Sequence, residues 1–427
     1  ASEIGKFTDS GAFIVKHHQE SVAYLPIEFL HNGCPQMNLK SEWVPPKNLP
    51  IQFPKLNHEQ IGDLLCRLLS RPNIASKEWW VRSYDHEVIA QTVVKPFCGK
   101  YSDAPSDAAV IAPLPGKTQG AVISNGIMPR YSDIDAYAMA AASVDEAVRN
   151  AVCVGVDLDM IAGLDNFCWP DPVESPKTPD GKYKLSQLVR ANQAIDDICR
   201  IYRLPCISGK DSMKNDAVID GKKISVPPTI LFSILGNHKD VRKAVTSDFK
   251  KTGDIIYLLG ETYQELGASE LAFMLRDEQG GGIGGTVPHI DAERNISLYK
   301  TIVKAMDKKL ISSAHDCSDG GLAVSLAECC FGSDSGALIH IDSLWTDCQE
   351  LDSWGALFGE SLGRILVSIK PKNKIDFEQH MQNHSFHEIG IVSSDKKIQI
   401  LKNQKAILTA SLPNLKKSWQ SSLNGGN

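Results

Sequence analysis

Asp316, Ser318, Asp319, Gly320 and Gly321 sit together in the run Ser312-Ser313-Ala314-His315-Asp316-Cys317-Ser318-Asp319-Gly320-Gly321-Leu322. Two glycines after an apolar approach let backbone come close to a ligand. The N–H groups of a helix opened there favour phosphate. Two aspartates repel a bare phosphate, so the chemistry is coherent only with Mg²⁺ between them. The plainer alternative is an ordinary helix start with Ser318 or Asp319 as N-cap.

Three further clusters carry the same kind of groups. Ser106-Asp107 precedes an apolar stretch, and Glu146 and Asn150 stand four apart, on one face of a helix. Ser208-Gly209-Lys210-Asp211-Ser212-Met213-Lys214 combines a lysine, a glycine and hydroxyls at a strand end, a set that could hold phosphate. Any one of these residues alone reads equally as surface polarity or a polar turn.

The elements that must position these groups follow from periodicity. Leu322, Ser325, Leu326, Cys329 and Cys330 recur at helical spacing. His58–Ser70 predicts an amphipathic helix, and Tyr137–Val152 and Leu185–Tyr202 predict two more. Strands are predicted at Glu87–Phe97, Ala108–Ala112, Pro228–Leu235, Ile255–Leu259 and Arg364–Ile369, with a strand-turn at Pro205–Ser208. The glycine run 280–285 lacks the Gly-Lys-Ser/Thr ending and follows no strand, so it predicts a loop. Strands and helices without regular βαβ alternation predict an α+β fold.

Length divides this into more than one domain: 427 residues predict two or three. Ile4-Gly5-Lys6-Phe7-Thr8-Asp9, followed by Phe13-Ile14-Val15, echoes Ile389-Gly390-Ile391-Val392-Ser393-Ser394-Asp395, followed by Ile398-Gln399-Ile400. Each copy predicts a strand, a polar turn and a second strand, and the repeat makes residues 1–45 the tail of a preceding copy. The expected organisation continues as a proline-rich linker with a short helix (46–84), a first large domain (85–237), a C-terminal domain (238–410) and a tail (411–427).

Charge narrows the partners. A net charge of −6 with no Lys/Arg run argues against nucleic acid, and no apolar run reaches membrane-spanning length. Eleven cysteines without a C-x-x-C spacing predict reduced thiols and a cytoplasmic location.

Taken in order, Ala104-Pro105-Ser106-Asp107-Ala108-Ala109-Val110, Asp145-Glu146-Ala147-Val148-Arg149-Asn150, Ser208–Met213, Pro227-Pro228-Thr229 and His315–Leu322 give a chain that resembles the phosphoribosylformylglycinamidine synthase family. The likeness is to the C-terminal half of its synthetase region, and Leu30-His31-Asn32-Gly33-Cys34-Pro35 resembles the end of the first half. The resemblance implies an internally duplicated protein of the aminoimidazole ribonucleotide synthetase superfamily, with A-type and B-type α+β domains. It implies an ATP- and Mg²⁺-dependent ligase that converts formylglycinamide ribonucleotide and ammonia to the amidine in purine biosynthesis. The implied partners are the N-terminal synthetase half and a glutaminase that supplies the ammonia. Such catalysis rests on positioning and charge neutralisation of a phosphoryl transfer.

Residue by residue, the resemblance makes Asp107, Glu146, Asn150 and Asp316 metal positions around an auxiliary nucleotide (ATP or ADP), with Ser106 and Ser318 as nucleotide contacts. Gly209, Lys210 and Ser212 match a loop that reaches toward the catalytic site, Asp165 is a candidate nucleotide contact, and Gly320 and Gly321 form the phosphate-facing helix start. Smaller relatives carry a metal-binding asparagine where Lys210 stands; a protonated lysine cannot ligate Mg²⁺, so a direct phosphate contact is expected. The family's catalytic histidines and substrate-phosphate residues belong to the first half, and no glutaminase nucleophile elbow is visible. Two rivals stand beside this reading. One is a structural nucleotide-binding module without turnover. The other is a different ATP enzyme of the superfamily, such as a selenophosphate synthetase or small-molecule kinase.

Overall fold

In the computed structural model, residues 1–47 and 49–423 are described, apart from the side chain of Val88. Two compact units emerge, residues 1–41 and 42–427. The first is a hairpin, β1 (Ala12–His17) with β2 (Glu20–Pro26), running directly into the short helix α1 (Ile27–Asn32). The expected strand at Ile4–Phe7 is not formed. Ile4 and Phe7 are fully exposed, and a strand requires a neighbour for its N–H and C=O groups.

The second unit opens with α2 (His58–Leu69) and α3 (Glu78–Arg82). Asn57 builds a capping box for α2, accepting from the Gln60 N–H at 2.9 Å while its own N–H donates to Gln60 Oε1 at 3.0 Å. Leu64, Leu65, Leu68 and Leu69 are completely buried, so the segment expected as a linker is part of a core.

A six-stranded sheet follows, built from β3 (Thr92–Val94), β6 (Ala109–Ile111), β7 (Gly120–Ile127), β12 (Thr229–His238), β8 (Asp157–Cys168) and β9 (Cys206–Ser212) in that order. Only the β8–β9 pair is parallel. Two small ribbons, β4 (Phe97–Cys98) with β5 (Ala104–Pro105) and β10 (Asp216–Ile219) with β11 (Lys222–Ser225), lie beside it in sequence. The continuous strand expected at Glu87–Phe97 is broken. Ile89 and Ala90 take positive φ (73° and 55°) in a 3-10 turn, leaving only β3 and the start of β4. Helices α4 (Ala136–Cys153) and α5 (Gly181–Tyr202) cover one face of this sheet. The alanines of α4 allow very close approach: a side chain on Gly126 of β7 would meet the Ser143 carbonyl oxygen at 2.2 Å.

The C-terminal part is a seven-stranded sheet in the order β14 (Ile311–Asp316), β16 (Ile365–Ile369), β13 (Ile255–Leu259), β17 (Phe386–Ser393), β15 (Gly336–His340), β18 (Lys397–Lys402), β19 (Lys405–Ser411). Its helices are α6 (Glu270–Gln279), α7 (Ala292–Asp307), α8 (Gly321–Phe331), α9 (Ser353–Phe358), α10 (Lys374–Met381) and α11 (Leu412–Ser421). Both faces are covered, so its strands read as unbroken apolar runs rather than alternation. Tyr257 and Leu259 face the core shared with the first sheet, Ile256 and Leu258 the opposite core with α2, α8 and α11. Residues 411–423 are therefore not a tail: Leu415 and Trp419 are buried, and the indole N–H donates to the Ile74 carbonyl at 2.9 Å. Residues 424–427 of the expected tail lie outside the described residues.

The glycine run is a loop with a packing task. A side chain at Gly282 would collide with the Leu49 backbone, and the Gly284 N–H donates to the Leu49 carbonyl at 2.8 Å. The mixture of elements is the expected α+β fold. The hairpin-helix order of residues 12–32 recurs at 397–421, each hairpin turning through two residues. No described helix is long and apolar enough to cross a membrane.

Candidate nucleotide and metal site

The loop before β6 and the end of β14 bring Asp107 and Asp316 together. Asp107 Oδ1 accepts from the Asp316 backbone N–H at 3.1 Å and from His315 Nδ1 at 2.7 Å. Ligand atoms of Asp107, His315 and Asp316 lie within 4.8 Å of one another. His315 is not a free ligand: its other nitrogen donates to Glu328 Oε2 at 3.0 Å. Carboxylates on both sides hold the imidazole well above its usual range against the opposing effect of burial. It orients Asp107.

Glu146 enters from α4 on the same side. Its Oε2 accepts from the Ile127 N–H of β7 at 2.7 Å, and Asn150, one turn on, donates to the Asn125 carbonyl at 3.0 Å. The shared helix face is thus present and turned toward β7. Burial, then the charge of Asp316, pushes the Glu146 carboxyl up. Burial likewise raises Asp316, opposed by Arg149. Asp319 is pushed well up by burial and by Glu360, Glu270 and Glu146. Carboxylates raised in this way are short of positive charge.

Arg149 supplies only part of it. Its guanidinium is buried, 3.3 Å from Asp316 Oδ2 and 2.5 Å from Asp145 Oδ2. Asp145 Oδ1 also accepts from Tyr202 at 2.5 Å, Tyr299 at 2.8 Å and Asn295 at 3.1 Å. Asp145 is therefore a saturated clamp between α4, α5 and α7. Asp107 Oδ2, by contrast, is buried with no hydrogen-bond partner, and Ser106 Oγ beside it has no nitrogen or oxygen partner. Unpartnered carboxylate oxygen among raised carboxylates fits a hard dication with oxygen ligands. These residues fit Mg²⁺.

Gly320 and Gly321 do something else than expected. The Gly320 N–H donates to Glu360 Oε1 at 2.9 Å, and the Gly321 N–H to the Ser318 carbonyl at 2.9 Å. A side chain on Gly321 would strike the Gly359 carbonyl at 2.4 Å. Both glycines are buried, at φ values of 79° and 65° that other residues rarely adopt. They serve a close approach between α8 and the α9 end, and their amides are already occupied by protein groups rather than open to phosphate. Ser318 remains at the half-buried lip.

The remaining expected contacts lie elsewhere. Gly209, Lys210 and Ser212 are on β9, the far edge of the first sheet, four strand spacings from β6, or about 19 Å. Lys210 reaches Ser212 Oγ and pairs in register with Asn166, continuing the row Ile127–Leu231–Asn166 on the uncovered face. Asp165 pairs with Gly209 and with buried Phe232, so it points to the helix-covered face. Asp165 and Lys210 therefore point to opposite faces of the sheet. The site residues that sequence reasoning passed over are His315, Arg149 and Glu360. The first two lie inside the quoted motifs; only Glu360, forty residues downstream of Gly320, had no local signal.

The fold and motifs have relatives. Residues 105–236 match the family described as AIR synthase related protein, N-terminal domain, and residues 251–403 its C-terminal domain. The chain is similar to phosphoribosylformylglycinamidine synthase subunit PurL of Alkaliphilus metalliredigens (strain QYMF), with 32% identity over 429 residues, 98% of this chain and 53% of that protein. Among solved structures it is similar to T. maritima PurL complexed with FGAR (TM-score 0.62, 14% identity, 83% of this chain and 53% of that one). T. maritima PurL complexed with ADP gives a TM-score of 0.60 at 14% identity, covering 85% and 53%. The chain spans about half the length of the relatives it matches.

Proposed function

Because the chain belongs to the AIR synthase related family, we propose that it is the C-terminal half of an ATP- and Mg²⁺-dependent ligase making formylglycinamidine ribonucleotide from formylglycinamide ribonucleotide and ammonia. The observation that carries the reading is the meeting of Asp107 and Asp316 around an unpartnered carboxylate oxygen, with Glu146 near enough to feel the charge of Asp316. Mg²⁺ bound there would neutralise these carboxylates and a nucleotide's phosphates together. Asp107, Glu146, Asn150 and Asp316 would hold it, with His315 fixing Asp107 and Arg149 restraining Asp316. Ser106 and Ser318 would contact the nucleotide. The same set would hold ADP or ATP as part of the structure.

Turnover is assigned to the other end of the sheet. Lys210 and Ser212 would serve a catalytic site completed by a preceding synthetase half, with ammonia from a glutaminase. The uncovered sheet face supports that pairing: Ile123, Ile127 and Leu235 are exposed along it. The test is reconstitution. The chain alone should give no ammonia-dependent product. Adding a separately made N-terminal half should restore turnover, and Lys210→Ala should lower it by orders of magnitude with little change in melting temperature. Full turnover by the chain alone, or by the reconstituted Lys210→Ala protein, contradicts the reading.

A further inference from the structure

Away from the metal site, α5 and the start of β9 bring two thiols together. Cys199 lies in the last turn of α5 and is buried; Cys206 is the first residue of β9 and exposed; their sulfurs are 3.9 Å apart. The connection between them is held at both ends. Arg203 takes a left-handed φ of 53°, the Leu204 N–H donates to the Cys199 carbonyl at 2.9 Å, and the Gly163 N–H donates to the Pro205 carbonyl at 2.8 Å. Asp165, Arg200, Arg203 and both cysteines line one open groove of about 750 Å³. Since Cys206 pairs with Gly163, and Gly163 with buried Ile234, the groove is on the helix-covered side of the sheet.

We propose that Cys199 and Cys206 form a dithiol–disulfide site that takes small-molecule disulfides as oxidants. Bond formation needs the sulfurs to close by about 2 Å, to the usual S–S length of about 2.05 Å. Cys206, the exposed partner, attacks one sulfur of oxidised glutathione as its thiolate. A protein–glutathione mixed disulfide forms, and one glutathione thiolate leaves and takes up a proton. Cys199 then loses its proton to solvent and attacks the Cys206 sulfur, and the second glutathione leaves. In balance, two protein thiols lose two electrons and two protons, and one glutathione disulfide becomes two glutathiones. Burial pushes both thiols up, which makes this a slow, equilibrium-controlled couple rather than a fast peroxide scavenger. The disulfide would tether the start of β9, the strand that carries Lys210 and Ser212, to α5.

The experiment uses the whole chain incubated with oxidised glutathione, alkylated, and digested with trypsin without reduction. Cleavage after Arg190, Arg200, Arg203 and Lys210 puts the two cysteines on separate peptides, so the disulfide appears as a linked pair two hydrogens lighter than their sum. The expected result is loss of two of the eleven thiols, reversed by dithiothreitol. Cys206→Ser should leave Cys199 alkylated, whereas Cys34→Ser, which removes another exposed thiol, should leave the linked pair unchanged. Arrest at a glutathione adduct on Cys206 with Cys199 still free, or no reaction at either, overturns the proposal.

Discussion

The two large sheets are built from similar residues and finished differently. The seven-stranded sheet is covered on both faces, and Ile256, Tyr257, Leu258 and Leu259 of its interior strand β13 are fully buried. The six-stranded sheet is covered by α4 and α5 on one face only. Its other face carries the rows Ala109–Ile123–Leu235–Ala162 and Ile127–Leu231–Asn166–Lys210, with Ile123, Ile127 and Leu235 about 40–50% exposed. Asn125 and Ser233 lie between the two rows, and exposed apolar side chains grouped on one face in this way often mark an interaction surface. One sheet is closed within the chain, and the other leaves one face open, where the proposed N-terminal half would dock.

The seam between the sheets should give the largest effect. Arg149→Met leaves Asp145 and Asp316 buried without their cation, and breaking a buried pair of this sort costs about 3–5 kcal/mol. Chemical denaturation of the variant measures it. Next come matched truncations. Leu258→Ala in the closed sheet should cost about 2–5 kcal/mol, whereas Ile123→Ala on the open face should stay within about 0.5 kcal/mol, as surface changes do. Equal losses would erase the distinction between the sheets. Replacing Ile123 and Leu235 by lysine should sharpen it, leaving the chain's melting temperature nearly unchanged while abolishing association with an N-terminal half in sedimentation.

The smallest effect is a pH dependence in the closed part. A hydrogen bond to Glu265 raises the His289 pKa, against partial burial. A raised folded value means that the stabilisation is complete below the unfolded pKa of about 6.5 and is lost as pH rises through the folded one. His289→Gln should therefore flatten stability from just below pH 6.5 upward. A steeper loss with pH in the variant would contradict the assignment.

The elements legible in the sequence were those whose pattern matched one period. α2 showed its leucine stripe, α4 its alanines, and β13 and α8 their apolar runs. Strand β8 was not anticipated because it reads Asp157-Leu158-Asp159-Met160-Ile161-Ala162-Gly163-Leu164-Asp165, with acids where a strand usually carries β-branched residues. Asp157 is buried against Lys239, Asp159 is exposed and Asp165 lines a groove, placements that only the tertiary arrangement reveals. α11 read as a tail because a short polar helix shows its worth only when Trp419 finds Ile74. At the site, residue types pointed to Asp107, Glu146 and Asp316 but not to their division of labour. Gly320 and Gly321 suggested phosphate, and only the Glu360 carboxylate, distant in sequence, accounts for the Gly320 amide.

The central claim is that Asp107, Glu146, Asn150 and Asp316 hold a nucleotide through Mg²⁺, and melting of the purified chain tests it most directly. Acid extraction and an adenine nucleotide assay first establish whether any nucleotide copurifies, and one found there is removed before melting. Binding to the folded form alone stabilises by mass action, about 2.7 kcal/mol at a hundredfold excess over the dissociation constant. MgADP should raise the melting temperature by several degrees, ADP with a chelator should do little, and Asp316→Asn should lose most of the gain. No nucleotide on extraction together with no response to MgADP would contradict the account and return these residues to a structural role.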